Sequence, residues 1–196
     1  LESAQNPVFF YDGDGDGLAS FLLLYRFRHE GTGIALRGSQ RKEEHMLRKV
    51  KELEPDKVFI LDVPVLSQDL IDHINCPIFW IDHHDPLERR NVHYFNPRIK
   101  DPDAYIPTSR MCWQITTRTE DIWLATAGCL ADYYVPDFLS EFISQYPQYL
   151  NREYKLPTML FKKPVGQLVK LLFFVQKGGQ GEVHKSIKIM TRIKTP

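Results

Sequence analysis

Three short apolar runs in this chain each end on an aspartate. Val8-Phe9-Phe10-Tyr11 leads into Asp12, Val58-Phe59-Ile60-Leu61 into Asp62, and Ile78-Phe79-Trp80-Ile81 into Asp82. Each run is apolar throughout rather than alternating, the pattern of a strand buried on both faces of a parallel sheet. Helical patterns stand between them: Leu18 to His29, stopped by Gly31 and Gly33, and the charged amphipathic stretch Lys42 to Leu53, stopped by Glu54-Pro55. Ile34 to Leu36 reads as a further strand, Ser67 as the cap of a short helix reaching His73, and His93 to Phe95 as another strand. This alternation predicts an α/β fold, doubly wound around a mostly parallel sheet. Ligands of such sheets lie beyond the carboxyl ends of the strands, and that edge here receives three aspartates.

The rest of the chain reads as mainly helical. A loop from Asn96 to Pro107 with three prolines is followed by helical patterns over Ser109–Thr117, Trp123–Tyr133, Phe138–Tyr146 and Val165–Gln176. Pro164 stands at the start of the last of these and Gly178-Gly179 beyond its end. Lys177 to Gly181 reads as a connector, and Glu182 to Lys194 as a basic, helical stretch. The expected organisation is an α/β catalytic domain over 1–135, a helical extension packed on it over 136–178, and a basic linker or helix over 179–196. That last segment would lead toward a C-terminal domain that is missing or separately encoded.

Composition limits the function classes. With 43% apolar and 26% charged residues the chain is an ordinary globular one. No apolar run reaches the roughly 18 residues of a membrane span, so no membrane partner is expected. The first residues show no secretory signal, and three scattered cysteines (Cys76, Cys112, Cys129) argue against a disulfide scaffold. Both point to the cytoplasm. The formal net charge is zero, yet from Arg152 to Pro196 ten basic residues face two acidic ones. That segment therefore carries +8 and the preceding 151 residues −8, as expected where cations sit in one part and a polyanion or an acidic partner meets another.

Two clusters carry the chemistry. In Asp12-Gly13-Asp14-Gly15-Asp16-Gly17, carboxylates alternate with glycines, which permit tight turning and close backbone approach. A calcium loop of the EF-hand type needs a glutamate at its twelfth position, which is Leu23 here, so that reading fails. The second cluster is Asp82-His83-His84-Asp85-Pro86. Carboxylates converging with imidazoles repel unless a cation compensates, and oxygen-rich sites with one or two imidazoles suit manganese or magnesium better than structural zinc. A further aspartate, Asp132, stands at the carboxyl end of a small-residue helix, where the helix dipole disfavours it unless a cation is near.

Asp14-x-Asp16-Gly17, Asp62 at a strand end, Asp82-His83-His84-x-Pro86 and Gly128-Cys129-Leu130-Ala131-Asp132 stand in the order of the four motifs of the DHH phosphoesterase superfamily. The chain most resembles RecJ-like single-strand nucleases, archaeal relatives of the replisome included, from Val8 to about Asp137, and Asn96-Pro97 matches a further family position. The resemblance implies two divalent cations, Mn2+ foremost with Mg2+ as the alternative, about 3.5–4 Å apart and activating water for in-line attack at phosphorus. By that likeness Asp14 would hold one ion, Asp16, His83 and Asp132 the other, and Asp62 would bridge both. His84 would stabilise charge or pass a proton beside the phosphate, and Asp82 would orient the histidines. Where the family usually has a histidine four residues before Asp14, this chain has Phe10, and Asp12 would be the compensating ligand.

The implied activity is a divalent-metal-dependent phosphodiesterase acting on single-stranded DNA or RNA or short oligonucleotides. A second polypeptide would supply the C-terminal substrate-binding domain, and replisome proteins of the GINS kind would be partners. Two other functions fit the same fold: a non-catalytic replisome scaffold, or a small-molecule phosphoesterase acting on pyrophosphate or cyclic dinucleotides. Tyr105, Trp113, Tyr133 and Tyr134 are candidates for stacking on bases, with core packing the default expectation for each.

Overall fold

The computed structural model describes residues 1–37 and 42–196. Its centre is a five-stranded sheet of β1 (Pro7–Asp12), β2 (Thr32–Leu36), β3 (Lys57–Leu61), β4 (Ile78–Ile81) and β5 (His93–Phe95). The strands lie in the order β2-β1-β3-β4-β5 and every pairing is parallel. The doubly wound α/β expectation is met. The chain leaves β1 to one side for β2 and returns to lay β3 on the other side. The connections after β1 and β3 therefore diverge, and a crevice opens between those two strand ends.

Register is fixed by rings. Phe9, Phe59, Phe79 and His93 are successive partners across four strands, with centroid separations of 5.0, 5.1 and 4.9 Å and nearly parallel planes. A slip of one residue in any strand would break this ladder and turn that strand's apolar faces over. The ladder thus also aligns the strand ends that carry the aspartates.

The two faces have separate cores. Phe9, Tyr11, Phe59, Leu61 and Ile81 point to the side covered by α1 (Gly15–Arg28), α4 (Thr108–Thr116) and α5 (Ile122–Ala131). Val8, Phe10, Val58, Ile60, Ile78 and Trp80 point to the side covered by α2 (Lys42–Leu53) and α3 (Gln68–Asp72). Phe10 is completely buried in this second core, among apolar groups.

Helix α5 is buried on every side, between α1, α4 and α8 (Val165–Phe174). Gly128 makes that possible: a Cβ there would stand 2.5 Å from the Ala19 Cβ and 2.7 Å from Ser109 Oγ. The later helices α6 (Leu139–Gln145), α7 (Leu156–Lys162) and α8 extend the same core, as does Met190 of α9 (Gln180–Met190). Arg26 of α1 pairs with buried Asp121 at 2.7 Å and donates to the carbonyls of Met190 and Ile193, tying the end of α9 to α1. Helix α7 has no counterpart in the sequence reading. Pro157, a breaker inside a helix, sits instead in its first turn, where no N–H is needed. Among the described residues no helix is long and apolar enough to cross a membrane.

Alanine forms helix better than glycine by about 1 kcal/mol, yet Gly128→Ala should destabilise the protein by about 1–3 kcal/mol, because its methyl group has no room between α1 and α4. Urea unfolding decides this, and a stability gain would show that helix propensity outweighs the crossing.

Candidate metal centre

Each candidate residue is delivered by the local structure of its motif. Asp14 caps α1, its Oδ1 accepting from the Gly17 N–H at 2.9 Å, and Asp16 lies in the first turn. Gly17 has to be glycine, since a Cβ would lie 2.5 Å from the Asp12 carbonyl. Asp62 follows β3 in the left-handed region (φ 61°), a conformation aspartate tolerates better than most residues. Its N–H bonds the Ile81 carbonyl at 2.9 Å, and the Asp82 N–H bonds the Phe95 carbonyl at 3.1 Å, so the sheet ladder runs right up to both carboxylates.

Asp16, Asp62, His83 and Asp132 meet above the crevice between β1 and β3. His83 Nε2 lies 3.3 Å from Asp62 Oδ1 and 3.6 Å from Asp132 Oδ2. These separations are long for direct charged hydrogen bonds. His83 Nδ1 is buried and has no hydrogen-bond partner among the described residues. Two sets of side chains offer ligand atoms within 4.8 Å of one another: Asp16, His83 and Asp132, and Asp62, His83 and His84. Three carboxylates and two imidazoles form a hard, oxygen-rich donor set, and a divalent cation fits it.

The remaining candidates sit around these two sets. Asp12 Oδ1 is ion-paired with Lys42 at 2.8 Å and belongs to neither set, and Asp14 is likewise outside them. Asp82 is fully buried and spoken for. Its Oδ1 faces His84 Nδ1 at 2.8 Å, while Oδ2 accepts from the His84 N–H at 3.1 Å, the Tyr94 hydroxyl at 3.3 Å and Asn96 Nδ2 at 3.4 Å. Asn96 Nδ2 also donates to the His84 carbonyl at 3.0 Å. Asp82 therefore fixes His84 and the turn that carries both histidines.

Two supporting residues, Thr108 and Ser109, escaped the sequence reading, and Tyr105 entered it only as a candidate for stacking on bases. The Thr108 N–H donates to Asp16 Oδ2 at 2.8 Å, and the N–H and hydroxyl of Ser109 both donate to Asp16 Oδ1. Asp16 thus terminates the free N–H groups at the start of α4, across a sequence gap of more than ninety residues. Thr108 Oγ1 donates to Asp62 Oδ1 at 3.2 Å. The Tyr105 hydroxyl lies 2.9 Å from Asp132 Oδ2 and 2.6 Å from the Asp132 carbonyl. Ser and Thr opening a helix carry no sign of a distant carboxylate, so only the fold reveals them. Trp113 and Tyr134 pack against the core as expected, but Tyr105 and Tyr133 are 50% and 67% exposed, which corrects that expectation for those two.

Residues 8–136 match the description of the DHH family, N-terminal domain. The chain belongs to the DHH family. The search of curated proteins returned no match. Solved structures with this fold include RecJ in complex with Mn2+ from Thermus thermophilus, at 15% identity and a TM-score of 0.60, matched over 95% of this chain and 34% of that one. The exonuclease RecJ bound to manganese matches at 15% identity and TM-score 0.61, over 98% of this chain and 62% of that one. CDC45 from Entamoeba histolytica matches at 15% identity and TM-score 0.52, over 73% and 34%. This DHH chain spans between a third and two thirds of the length of these structures.

The electrostatics of the DHH centre are those of a site short of positive charge. Burial first and Asp62 second raise the Asp16 carboxyl well above the usual aspartate range, against the pull of the Ser109 hydrogen bonds. Burial, then Asp14, does the same to Asp62, and burial raises Asp132. The His84 imidazole is raised by its bond to Asp82. Groups held above their unfolded values favour the fold below the ordinary carboxylate range and lose that contribution as pH rises through the raised values. In chelator, Asp62→Asn should therefore melt higher than the wild type, by about 2–4 °C for each kcal/mol of relieved repulsion, and the gap should widen from about pH 4 upward. Manganese should raise the wild-type melting temperature and leave the variant unmoved. A gap that closes with rising pH would contradict the repulsion.

Proposed function

We propose that this DHH protein is a divalent-cation-dependent phosphodiesterase acting on single-stranded DNA or RNA or on short oligonucleotides. The observation that supports it is the meeting of Asp16, Asp62, His83 and Asp132 at one strand-end crevice, with Asp14 and His84 beside them. Asp14, Asp16, Asp62, His83 and Asp132 would hold two divalent ions between them, with Asp62 common to both, and Mn2+ would suit the mixed carboxylate–imidazole set best, Mg2+ next. Asp12 is a further ligand only if it gives up Lys42. Bound there, divalent ions lower the pKa of water and neutralise a phosphodiester.

The chain's own residues set the geometry. Asp82 holds His84 by Nδ1 and so presents its other ring nitrogen, and it keeps the imidazole protonated toward higher pH. A charged His84 beside the phosphate stabilises the developing negative charge and can deliver a proton to the departing oxygen. Asp16 is locked by the start of α4 and Asp132 by Tyr105, so neither needs to reorganise when ions bind. The +8 segment beyond Asn151 supplies charge that favours a polyanion over a small substrate. The cytoplasm is the proposed location.

Asp62→Ala, or chelation, should reduce hydrolysis of a labelled single strand by about 10³-fold or more, and calorimetry should show the loss of tight manganese binding. Turnover of pyrophosphate or cyclic dinucleotides in preference to oligonucleotides would replace this reading with the small-molecule one. Absence of any tight cation binding would replace it with the scaffold. Asp82→Asn should lower kcat by about 10–100-fold and move the alkaline limb of the pH profile to lower pH, since His84 then loses its proton earlier.

A further inference from the structure

Helix α5 ends in a hydrogen-bonding pattern that ordinarily calls for glycine. The Tyr134 N–H bonds the Cys129 carbonyl at 2.9 Å and the Tyr133 N–H bonds the Leu130 carbonyl at 3.2 Å, which puts Tyr133 in the left-handed region at φ 56°. A glycine takes that position without steric penalty, whereas a tyrosine is strained there. The ring returns little to the fold, because Tyr133 is 67% exposed. Asp132 is its neighbour in the chain, and the Tyr105 hydroxyl holds that same carboxylate. The Tyr105 ring, half exposed, stands edge-on to His83 at 5.7 Å and near Tyr134 at 6.4 Å. Exposed aromatic surface thus stands at Tyr105, which holds Asp132, and at Tyr133, the next residue of the chain, where the backbone position opposes it.

We propose that Tyr133, with Tyr105, forms an aromatic shelf that takes a nucleobase of the strand whose phosphodiester enters the metal centre. This rests on the oligonucleotide reading of that centre. A ring face one residue from Asp132 suits the planar group attached to a bound phosphate through its sugar. Stacking tolerates any base, as a nuclease that degrades without regard to sequence requires. Tyrosine also serves better than phenylalanine at such a wet rim, since its hydroxyl stays solvated.

The test is fluorescence anisotropy on the full-length protein, using a labelled oligothymidylate of about 12 nucleotides with calcium in place of a cleavage-supporting cation. The same strand with abasic terminal positions is the second probe. Wild type should bind the intact strand about 10- to 100-fold more tightly than the abasic one, as expected from the value of one base–aromatic stack. Tyr133→Gly should bind both strands as weakly as wild type binds the abasic one, while melting about 2–4 °C higher because the strain is gone. Tyr133→Phe should keep the wild-type discrimination. Wild-type affinity in Tyr133→Gly, or discrimination that survives in it, would overturn the shelf and leave the exposed ring to a protein contact. A wild type that binds manganese but neither strand would overturn the oligonucleotide reading, and the shelf with it.

Discussion

The organising constraint of this molecule is repulsion among Asp16, Asp62 and Asp132, carboxylates drawn from three separate parts of the chain into one poorly solvated space. Asp16 and Asp62 are almost wholly buried, where like charges are not screened as they are in water. The fold relieves the repulsion only in part. Asp16 takes the N–H groups at the start of α4, Asp132 a tyrosine hydroxyl, and Asp62 a threonine hydroxyl and an imidazole at 3.3 Å. None of these donors except a protonated histidine brings a full positive charge. Among the described residues arginine and lysine stay out of the cluster: Arg26 is committed to Asp121, and Lys42 to Asp12 at the periphery. A divalent cation would fit a site built this way.

The remainder of the architecture holds the carboxylates where they repel. Parallel pairing puts the ends of β1, β3 and β4 on one edge, and the switch in strand order opens the crevice between β1 and β3. The ring ladder from Phe9 to His93 fixes how far each strand extends toward that edge. Gly128 lets α5 press against α1 and α4, which sets Asp132 opposite Asp16. The glycine of the fourth motif therefore belongs to packing, and its aspartate to the site.

Two kinds of aspartate share the edge, and their partners distinguish them. Asp82 has both oxygens filled by neutral donors and by His84, so it serves as a brace. Asp62 has few partners and takes a left-handed backbone to reach its place. From the sequence they look alike, each an aspartate closing an apolar run. The difference comes from Tyr94 and Asn96, which β5 brings next to Asp82. Among the described residues Asp62 receives only the Thr108 hydroxyl and, at 3.3 Å, the His83 imidazole.

The sequence alone determined the strands, the side of the sheet on which the acidic groups gather, and the motif order from Asp14 to Asp132, because continuous apolar runs and strand-end aspartates are local signals. It passed over α7, since a proline reads as a breaker until its place in the first turn is known. It could not pair Thr108 and Ser109 with Asp16, or Tyr105 with Asp132, nor tell the exposed Tyr133 from the packed Tyr134. Those relations join residues far apart in the chain, or depend on which side of a helix end faces solvent. Only the folded packing of α4 and α5 against α1 decides them, because hydrogen bonds and burial depend on distance in space and carry no imprint in the spacing of residues.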